Sequence, residues 1–230
     1  MSALAHLPRR WHGPGGPDAL LEAVSGVLAT PPCPADPQGP LLFAAIGTVD
    51  VPAYLLVAKS AARAIGRGRF AVLDDGTLTG EDRALLAHHC ADPQIIAGRA
   101  DNAPFPSTLA WQGLIAQLGR YEASYRILLD LARVTSSVPQ EVSEAIGRNR
   151  GFRGPGSDGL VGIPAMGGNP GDAALMLPRL AATHLDGAEG ARTLATMLVD
   201  NGVGAAVLEA PAGTGLTEES AREAVSVLLA

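Results

Sequence analysis

Acidic residues in this sequence stand at two places where an apolar run ends. Asp74 and Asp75 follow the run 70–73 and precede Gly76, and Asp130 follows the run 125–129. A carboxylate in a turn after a buried strand can accept hydrogen bonds from ribose hydroxyls or a base edge. Asp130 could hold Mg²⁺ or Mn²⁺ beside a diphosphate. The alternative at both places is structural, because Asp-Gly is a common turn sequence and an aspartate can cap a turn or a helix.

Other potential sites are less specific. His88, His89 and Cys90 are consecutive, and adjacent side chains on a helix point about 100° apart, so they do not easily converge on one metal ion. We interpret them as the end of a helix and leave Cys33, in a proline-rich loop, unpaired with them. The sequence has no P-loop and no G-x-G-x-x-G motif that opens a predicted helix, and Pro155 interrupts a stretch that resembles a nucleophile elbow.

These carboxylates follow segments of a sequence in which predicted strands and helices alternate. The predicted strands are 41–46, 70–73, 94–97 and 125–129, and the predicted helices between them are 52–65, 79–90 and 107–118. Strands and helices that alternate with short connections are typical of a parallel sheet. The strands are continuously apolar, as expected where both faces of a sheet are covered. We therefore predict an α/β fold, a single-domain, mostly parallel sheet with helices on both faces.

The carboxyl ends of such strands are where ligands bind in open α/β sheets. The segments at these ends are 47–50, which contains Thr48, then 74–77, and then 130–133. The sequence therefore predicts that Thr48, Asp74, Asp75, Gly76 and Asp130 lie at one edge of the sheet.

The remaining segments are less regular. Residues 1–40 are predicted to contain one short helix, around 20–28, between loops rich in proline and glycine, and 41–230 to form the α/β domain. Ser137 and Gln140 are predicted to cap a helix over 141–149, followed by a long loop over 151–171 with eight glycines and three prolines. Helices over 172–183 and 188–200, an apolar run over 203–208 and a last helix from Thr217 complete the prediction.

Composition excludes several classes of function. The 230 residues include one lysine, carry a net charge of −6 and are 4% aromatic, which argues against a nucleic-acid partner. The most apolar run, 41–58, is interrupted by Asp50 and Pro52, so we expect no membrane span. Two cysteines and no recognisable signal peptide lead us to expect a cytoplasmic location.

The succession of these motifs resembles a family, the bacterial GT-A type nucleotide-diphospho-sugar glycosyltransferases. The resemblance extends over 41–152 and rests on the segments 54–60, 72–82, 95–96, 125–130 and 138–146. In that family a strand ends in D-D-G-S/T-L-T, which here is the sequence of 74–79, and the fourth strand ends in a D-x-D motif that binds the metal and the donor diphosphate.

The resemblance implies an enzyme that transfers a sugar from a UDP- or GDP-sugar donor to an acceptor that the sequence does not identify. It implies that Thr48, Asp74, Asp75 and Gly76 bind the nucleotide, and that Asp130 binds Mn²⁺ or Mg²⁺. No residue is assigned to the chemical step.

One departure from the family pattern lies in the D-x-D motif, which here reads Asp130-Leu131-Ala132. Arg133 follows directly and could hold the diphosphate in place of a metal, since a guanidinium binds phosphate through two hydrogen bonds. The segment 152–194 is also short for an acceptor-binding lobe. A second hypothesis is therefore a catalytically degenerate relative, a pseudoenzyme that binds a nucleotide or a protein partner. A third is an unrelated α/β domain that uses the same turns for another phosphate ligand.

Overall fold

The structure, a computed structural model, describes residues 16–97, 124–154, 159–165, 206–208 and 213–230. The helices in these ranges are α1 (Gly16–Ser25), α2 (Val51–Ile65), α3 (Gly80–His89), α4 (Gln140–Gly147) and α5 (Glu218–Leu229). The strands are β1 (Leu41–Ile46), β2 (Arg69–Asp74), β3 (Gln94–Ala97), β4 (Arg126–Leu128), β5 (Arg133–Val134), β6 (Phe152–Arg153), β7 (Val161–Ile163), β8 (Ala206–Val207) and β9 (Thr214–Gly215).

Seven of the described strands form one sheet, in the order β3-β2-β1-β4-β7-β6-β8. The pairs β1–β2, β1–β4, β2–β3 and β6–β8 are parallel, whereas β7 is antiparallel to both β4 and β6. The strands β5 and β9 form a separate antiparallel pair. The predicted α/β fold with a mostly parallel sheet is confirmed.

Both faces of the central strand β1 are buried, which explains why its sequence is apolar throughout. Leu42, Ala44 and Ile46 pack in the core cluster that α2 also joins. Leu41 and Phe43, on the opposite face, are only 0% and 3% exposed. The helix α2 is itself largely buried and packs against α1, α5 and β1.

The register of the strands brings the predicted ligand-binding segments to one edge. Ile46 at the end of β1 is paired with Asp74 at the end of β2. On the other side of β1, Phe43 is paired with Leu128, and the N–H of Leu129 donates to the carbonyl of Phe43 at 2.9 Å. The chain segments that leave β1, β2 and β4 therefore all start at the carboxyl edge of the sheet.

The predicted capping of α4 is wrong. The helix begins at Gln140, its N-cap residue is Pro139, and no side chain caps it. Proline has no side-chain acceptor to offer, and Gln140 bonds instead to Glu144 on the same helix, with 2.8 Å between Nε2 and Oε1. The helix also ends at Gly147, two residues before the predicted end.

The predicted long loop over 151–171 is also wrong in its described part, because it contains the strands β6 and β7, which pair with each other. Gly162 lies in β7, where a Cβ atom would collide with the ring of Phe152 and lie 2.5 Å from the hydroxyl of Tyr125. This glycine is therefore required by close packing within a sheet.

Three predicted helices, 107–118, 172–183 and 188–200, lie outside the described residues. The predicted N-terminal helix is confirmed as α1, and the last helix is confirmed as α5, with Thr217 as its N-cap. The strand β8 lies within the predicted apolar run 203–208. Among the helices that the structure describes, none has both the length and the apolar character needed to cross a membrane.

Candidate functional site at the carboxyl edge of the sheet

The segment after β1 is hydrogen-bonded to the turn after β2. The N–H of Thr48 donates to Oγ1 of Thr77 at 3.0 Å, and the N–H of Asp75 donates to the carbonyl of Ile46 at 3.1 Å. Within its own segment, the N–H of Gly47 donates to Oδ2 of Asp50 at 3.1 Å. These bonds fix the two strand ends against each other.

Gly47 makes this close approach possible. Its backbone is extended, with φ −113° and ψ −177°, a conformation that any residue can adopt. A Cβ atom at this position would nevertheless lie 2.7 Å from Oγ1 of Thr77 and still closer to Oδ2 of Asp75. A side chain at this position would therefore displace the side chains of Thr77 and Asp75.

The adjacent aspartates Asp74 and Asp75 have different environments. Asp74 is 5% exposed; its Oδ1 accepts from the N–H of Gly76 at 2.7 Å, and its Oδ2 pairs with the guanidinium of Arg83 on α3. Asp75 is exposed, and its Oδ1 accepts from the N–H of Thr77 at 2.8 Å. The carboxylate of Asp74 thus holds the turn, and the carboxylate of Asp75 is the one that solvent can reach.

A buried carboxylate joins this turn to the first turn of α3. Oδ2 of Asp82 lies 2.8 Å from Oγ1 of Thr48 and accepts from the N–H of Thr79 at 2.8 Å. Burial would raise the pKa of Asp82, but the hydrogen bonds from Thr79 and Thr48 outweigh it and lower the pKa below its usual value. Asp82 is therefore held as a carboxylate that fixes the loop after β1.

Asp130 and Arg133 form the second part of the edge. The carboxylate of Asp130 is 15% exposed; its Oδ1 accepts from the N–H of Ala132 at 3.0 Å, and its Oδ2 lies 3.9 Å from Nε of Arg133. The guanidinium of Arg133 also donates to the carbonyl of Gly213 at 3.2 Å, next to β9. The β5–β9 pair thus fixes the position of Arg133.

The environment of Asp130 does not fit a divalent metal site. Mg²⁺ is held by carboxylates together with other oxygen ligands. Here one oxygen of the single carboxylate already accepts a backbone N–H, and the charged group beside the other is a guanidinium. The part of the chain that the structure describes also contains no group of three or more His, Cys, Asp or Glu side chains that could hold a metal.

The predicted residues therefore lie in two groups on either side of β1. Thr48, Asp74, Asp75 and Gly76 belong to the hydrogen-bonded turn, and Asp130 and Arg133 to the loop after β4. Two strand spacings, about 10 Å, separate β2 from β4. Sequence reasoning did not identify the contacts that Gly47 and Arg83 make here, and no motif spacing connects Arg83 with Asp74.

A polar cluster away from this edge contains the residues interpreted above as a helix end. Lys59 on α2 is 2% exposed, and its Nζ donates to the carbonyl of Pro31 at 2.6 Å and lies 3.3 Å from Nδ1 of His89. The N–H of Cys33 donates to the carbonyl of His89 at 2.9 Å. The structure thus brings Cys33 next to the end of α3, where the sequence analysis had left it unpaired.

Comparisons with known proteins bear on the fold. No family model matches the sequence, and no curated protein matches it. Among solved structures, the glycosyltransferase GlyE of Streptococcus pneumoniae is 12% identical, with a TM-score of 0.56. That match covers 84% of this chain and 62% of GlyE.

A second solved structure, the 4-diphosphocytidyl-2C-methyl-D-erythritol synthase of Anaerococcus prevotii, is 9% identical, with a TM-score of 0.50. The match covers 84% of this chain and 99% of the synthase. Identities this low establish similarity of fold alone. The chain has the mostly parallel, Rossmann-like sheet of GT-A type nucleotide-diphospho-sugar transferases, which is the fold that the sequence resemblance implied.

Proposed function

We propose that this protein binds a nucleotide-diphospho-sugar at the carboxyl edge of the sheet and transfers the sugar to an acceptor. The proposal rests on one observation, that three polar residues follow strands that end at this edge. Thr48 follows β1, Asp75 follows β2, and Arg133 follows β4. Such an edge is where open α/β sheets bind nucleotides.

The turn after β2 is the proposed nucleoside site. The exposed carboxylate of Asp75 accepts hydrogen bonds from the donor's ribose or base, and Gly76, which has no Cβ atom, allows the ligand to approach the backbone. Thr48 supports this turn from the neighbouring segment, because its N–H and its hydroxyl are engaged by Thr77 and Asp82. Asp74 acts by fixing the turn, because its oxygens are engaged by Gly76 and Arg83.

Arg133 is the proposed diphosphate ligand. In sugar transfer, the bond between the sugar's anomeric carbon and the phosphate oxygen breaks, and the nucleoside diphosphate leaves with the electron pair. The acceptor's oxygen bonds to the anomeric carbon, and its proton passes to the departing nucleoside diphosphate or to solvent. A fixed cation beside the leaving oxygen stabilises the charge that develops there. Asp130 orients Arg133 from 3.9 Å.

A second candidate function is a catalytically inactive module that binds a nucleotide or a protein partner. Ala132 favours it, since this residue stands where the D-x-D motif has its second carboxylate. The two candidates differ in turnover. Only the transferase releases nucleoside diphosphate from a nucleotide sugar when an acceptor is present.

Titration calorimetry with UDP, GDP and their sugars, with and without Mn²⁺, tests donor binding. We expect one nucleotide series to bind, and Arg133→Ala to weaken binding about tenfold by removing a charged hydrogen-bond donor. The matched control is Arg148→Ala, because Arg148 is an exposed cation directly after α4 whose ion pair with Glu144 lies at the surface. Failure of every nucleotide to bind would overturn the proposal. Unchanged affinity in Arg133→Ala, together with a Mn²⁺ requirement, would show that a metal holds the diphosphate.

Release of UDP or GDP in the presence of candidate acceptors tests transfer itself. The expected result is release that depends on an acceptor and is lost in Arg133→Ala. Nucleotide binding without release by any acceptor tested would favour the inactive module.

A further inference from the structure

An open cavity of about 490 Å³ lies between the end of α2, the proline-rich loop before β1 and the end of α5. The helix α2 has 15 residues, so its end lies about 20 Å from the carboxyl edge at which it starts. Gly68, which lines the cavity, directly precedes the first residue of β2. The cavity is therefore at the amino edge of the sheet, and no residue assigned above to the donor site lines it.

A buried ammonium group borders this cavity without an opposite charge beside it. Lys59 is 2% exposed, and its Nζ donates to Oγ1 of Thr30 and to the carbonyl of Pro31 and contacts Nδ1 of His89, all of them neutral groups. No carboxylate of the described residues forms an ion pair with it. Burial lowers the pKa of Lys59, and the groups that oppose this effect are two cysteine thiols. A buried charge that no opposite charge balances is costly and calls for an explanation.

Two arginine side chains add positive charge at the same cavity. Arg63, in the last turn of α2, and Arg67, just after the helix, are exposed and line the cavity. Within the ranges that the structure describes, no group forms an ion pair or a hydrogen bond with either guanidinium. The described lining residues include no aspartate or glutamate. With Lys59 the lining carries three positive side chains, and a terminal carboxylate on Ala230 would offset only one of them.

The rest of the lining is mostly apolar. Three prolines of the loop before β1 and three aliphatic residues of the two helices contribute to it, namely Pro31, Pro32, Pro34, Ala62, Leu228 and Leu229. Such side chains provide a surface on which a hydrocarbon or aromatic group can pack. The volume is within the range of small-molecule sites, which is roughly 300–1,000 Å³. Positive charge beside an apolar wall fits a ligand that has both an anionic part and an apolar part.

We propose that this cavity binds a small phosphate monoester whose ester group is apolar. The guanidinium groups of Arg63 and Arg67 donate hydrogen bonds to the phosphate oxygens, and the ester group packs on the prolines. Lys59 makes no bond to the ligand, because its Nζ is engaged by three neighbours, and its buried charge attracts the phosphate through space. A phosphate monoester carries roughly two negative charges at neutral pH, so it balances three cations better than a carboxylate does.

NMR titration of the full chain with phenyl phosphate tests the site. A salt concentration of about 0.15 M screens the long-range attraction between exposed charges. The expected result is a saturable shift of the N–H signals of Gly66 and Gly68, which line the cavity. Inorganic phosphate and phenol, which correspond to the two parts of the probe, should each bind about tenfold more weakly than phenyl phosphate.

Variants of the two arginines locate the phosphate. Arg63→Gln and Arg67→Gln should each weaken the binding of phenyl phosphate about tenfold, the effect of losing one hydrogen bond from a charged group. Both residues are exposed, and the same spectra show whether the variants are folded. The matched control is Arg148→Gln, because Arg148 is an exposed cation outside the cavity, and it should bind as the wild type does. Arg133→Ala, at the opposite edge of the sheet, should also bind as the wild type does.

Four results would overturn the proposal. One is the absence of a saturable shift at both glycines. Another is equal binding of phenyl phosphate and inorganic phosphate, which would mean that the ester group is not recognised. The third is equal binding of benzoate, which would mean that a single negative charge is sufficient. The fourth is binding that both glutamine variants retain in full, or that Arg133→Ala alone loses, which would place the probe elsewhere. None of these results depends on whether the nucleotide edge supports transfer.

Discussion

Oγ1 of Thr48 lies 2.8 Å from Oδ2 of Asp82, so the segment after β1 is joined directly to the N-terminal turn of α3. The same oxygen is also in hydrogen-bonding contact with the carbonyl of Thr77, so its one proton is shared between two acceptors. Thr48 therefore holds three chain segments together at the edge where we propose that the donor binds. Its side chain and its N–H, which donates to Oγ1 of Thr77, are both structural here.

Replacing Thr48 with valine should destabilise the fold modestly. Valine keeps the shape of threonine but lacks the hydroxyl, so we expect the free energy of unfolding to fall by about 1 kcal/mol, as for one hydrogen bond. The pKa of Asp82 should rise, because one of the bonds that lower it is lost. Urea denaturation measures the first effect and carboxyl NMR titration the second. Thr48→Ser, which keeps the hydroxyl, is the control, and a serine variant as unstable as the valine variant would contradict the assignment.

Gly47→Ala should disturb the turn after β2. The added Cβ atom would lie 2.7 Å from Oγ1 of Thr77, so the side chains of Thr77 and Asp75 must shift, at an expected cost of about 1 kcal/mol, the low end for overpacked sites. Because the turn carries Asp75, nucleotide affinity should fall as well.

Gly80→Ala is the matched control for this substitution. A Cβ atom on Gly80, the first residue of α3, would meet no atom within 4 Å. We expect wild-type stability and nucleotide affinity from this variant, measured by the same denaturation and calorimetry. Equal behaviour of the two alanine variants would mean that lack of space at Gly47 does not matter.

Much of the fold could be predicted because the sequence patterns that determine its helices and strands involve neighbouring residues. The boundaries of β1 follow from an apolar run between Pro40 and Gly47, and the start of α3 follows from a capping box. That box is confirmed: the N–H of Asp82 donates to Oγ1 of Thr79 at 3.2 Å, and Oδ2 of Asp82 accepts from the N–H of Thr79 at 2.8 Å. Each signal involves residues that are close in sequence.

The sequence-based predictions were wrong where a strand is very short, and incomplete where a contact joins residues that are far apart in the sequence. The strands β6 and β7 have two and three residues, too few for a periodic pattern, and Gly162 has the composition of a loop although it lies in a sheet. The contact between Thr48 and Asp82 joins residues that are 34 positions apart. It depends on the parallel register of β1 and β2, which composition does not specify.

Ala132→Asp should create a metal-dependent site. The substitution restores a second carboxylate two residues after Asp130, and hard divalent cations bind more tightly as the number of charged ligands rises. We expect Mn²⁺ to increase the UDP or GDP affinity of this variant about tenfold more than that of the wild type, which corresponds to about 1.4 kcal/mol. Calorimetry with and without Mn²⁺ measures the difference.

The uncharged variant Ala132→Asn serves as the control, because it adds a side chain of the same size without the charge. It should show no such gain. An equal Mn²⁺ effect in the aspartate and asparagine variants would mean that the added charge does not reach the metal.

His89 is held neutral by its surroundings. Burial, then the nearby charge of Lys59, and then His88 lower the pKa of His89 to about 4. Because the Lys59 ammonium has only protons to donate, Nδ1 of His89 accepts from it at 3.3 Å, and the ring proton is on Nε2. Protonating His89 would place two cations together in a site that is only 2% exposed.

Stability should therefore depend on pH through His89. In the unfolded chain a histidine titrates near pH 6.5, and in the folded chain His89 titrates near pH 4. Between these values the unfolded chain binds more protons, so the free energy of unfolding falls as the pH is lowered from 6.5 to 4, and this contribution is constant below pH 4. At about 1.4 kcal/mol per pKa unit, we expect a loss of about 3 kcal/mol over that range, beyond the loss due to the carboxylates.

Urea denaturation at intervals between pH 7.5 and pH 4, at roughly one-unit steps, isolates this contribution when the wild type is compared with His89→Gln. Glutamine can still accept a hydrogen bond from Lys59 but does not titrate, so its stability should fall less steeply than that of the wild type. His88→Gln is the matched control, because His88 is the adjacent residue on the same helix and is exposed. It should keep nearly the wild-type slope, because His88 is the smallest of the three causes that lower the pKa of His89. If His89→Gln also retained that slope, the proton uptake would have to belong to another group, and the neutral state of His89 would not be what links stability to pH.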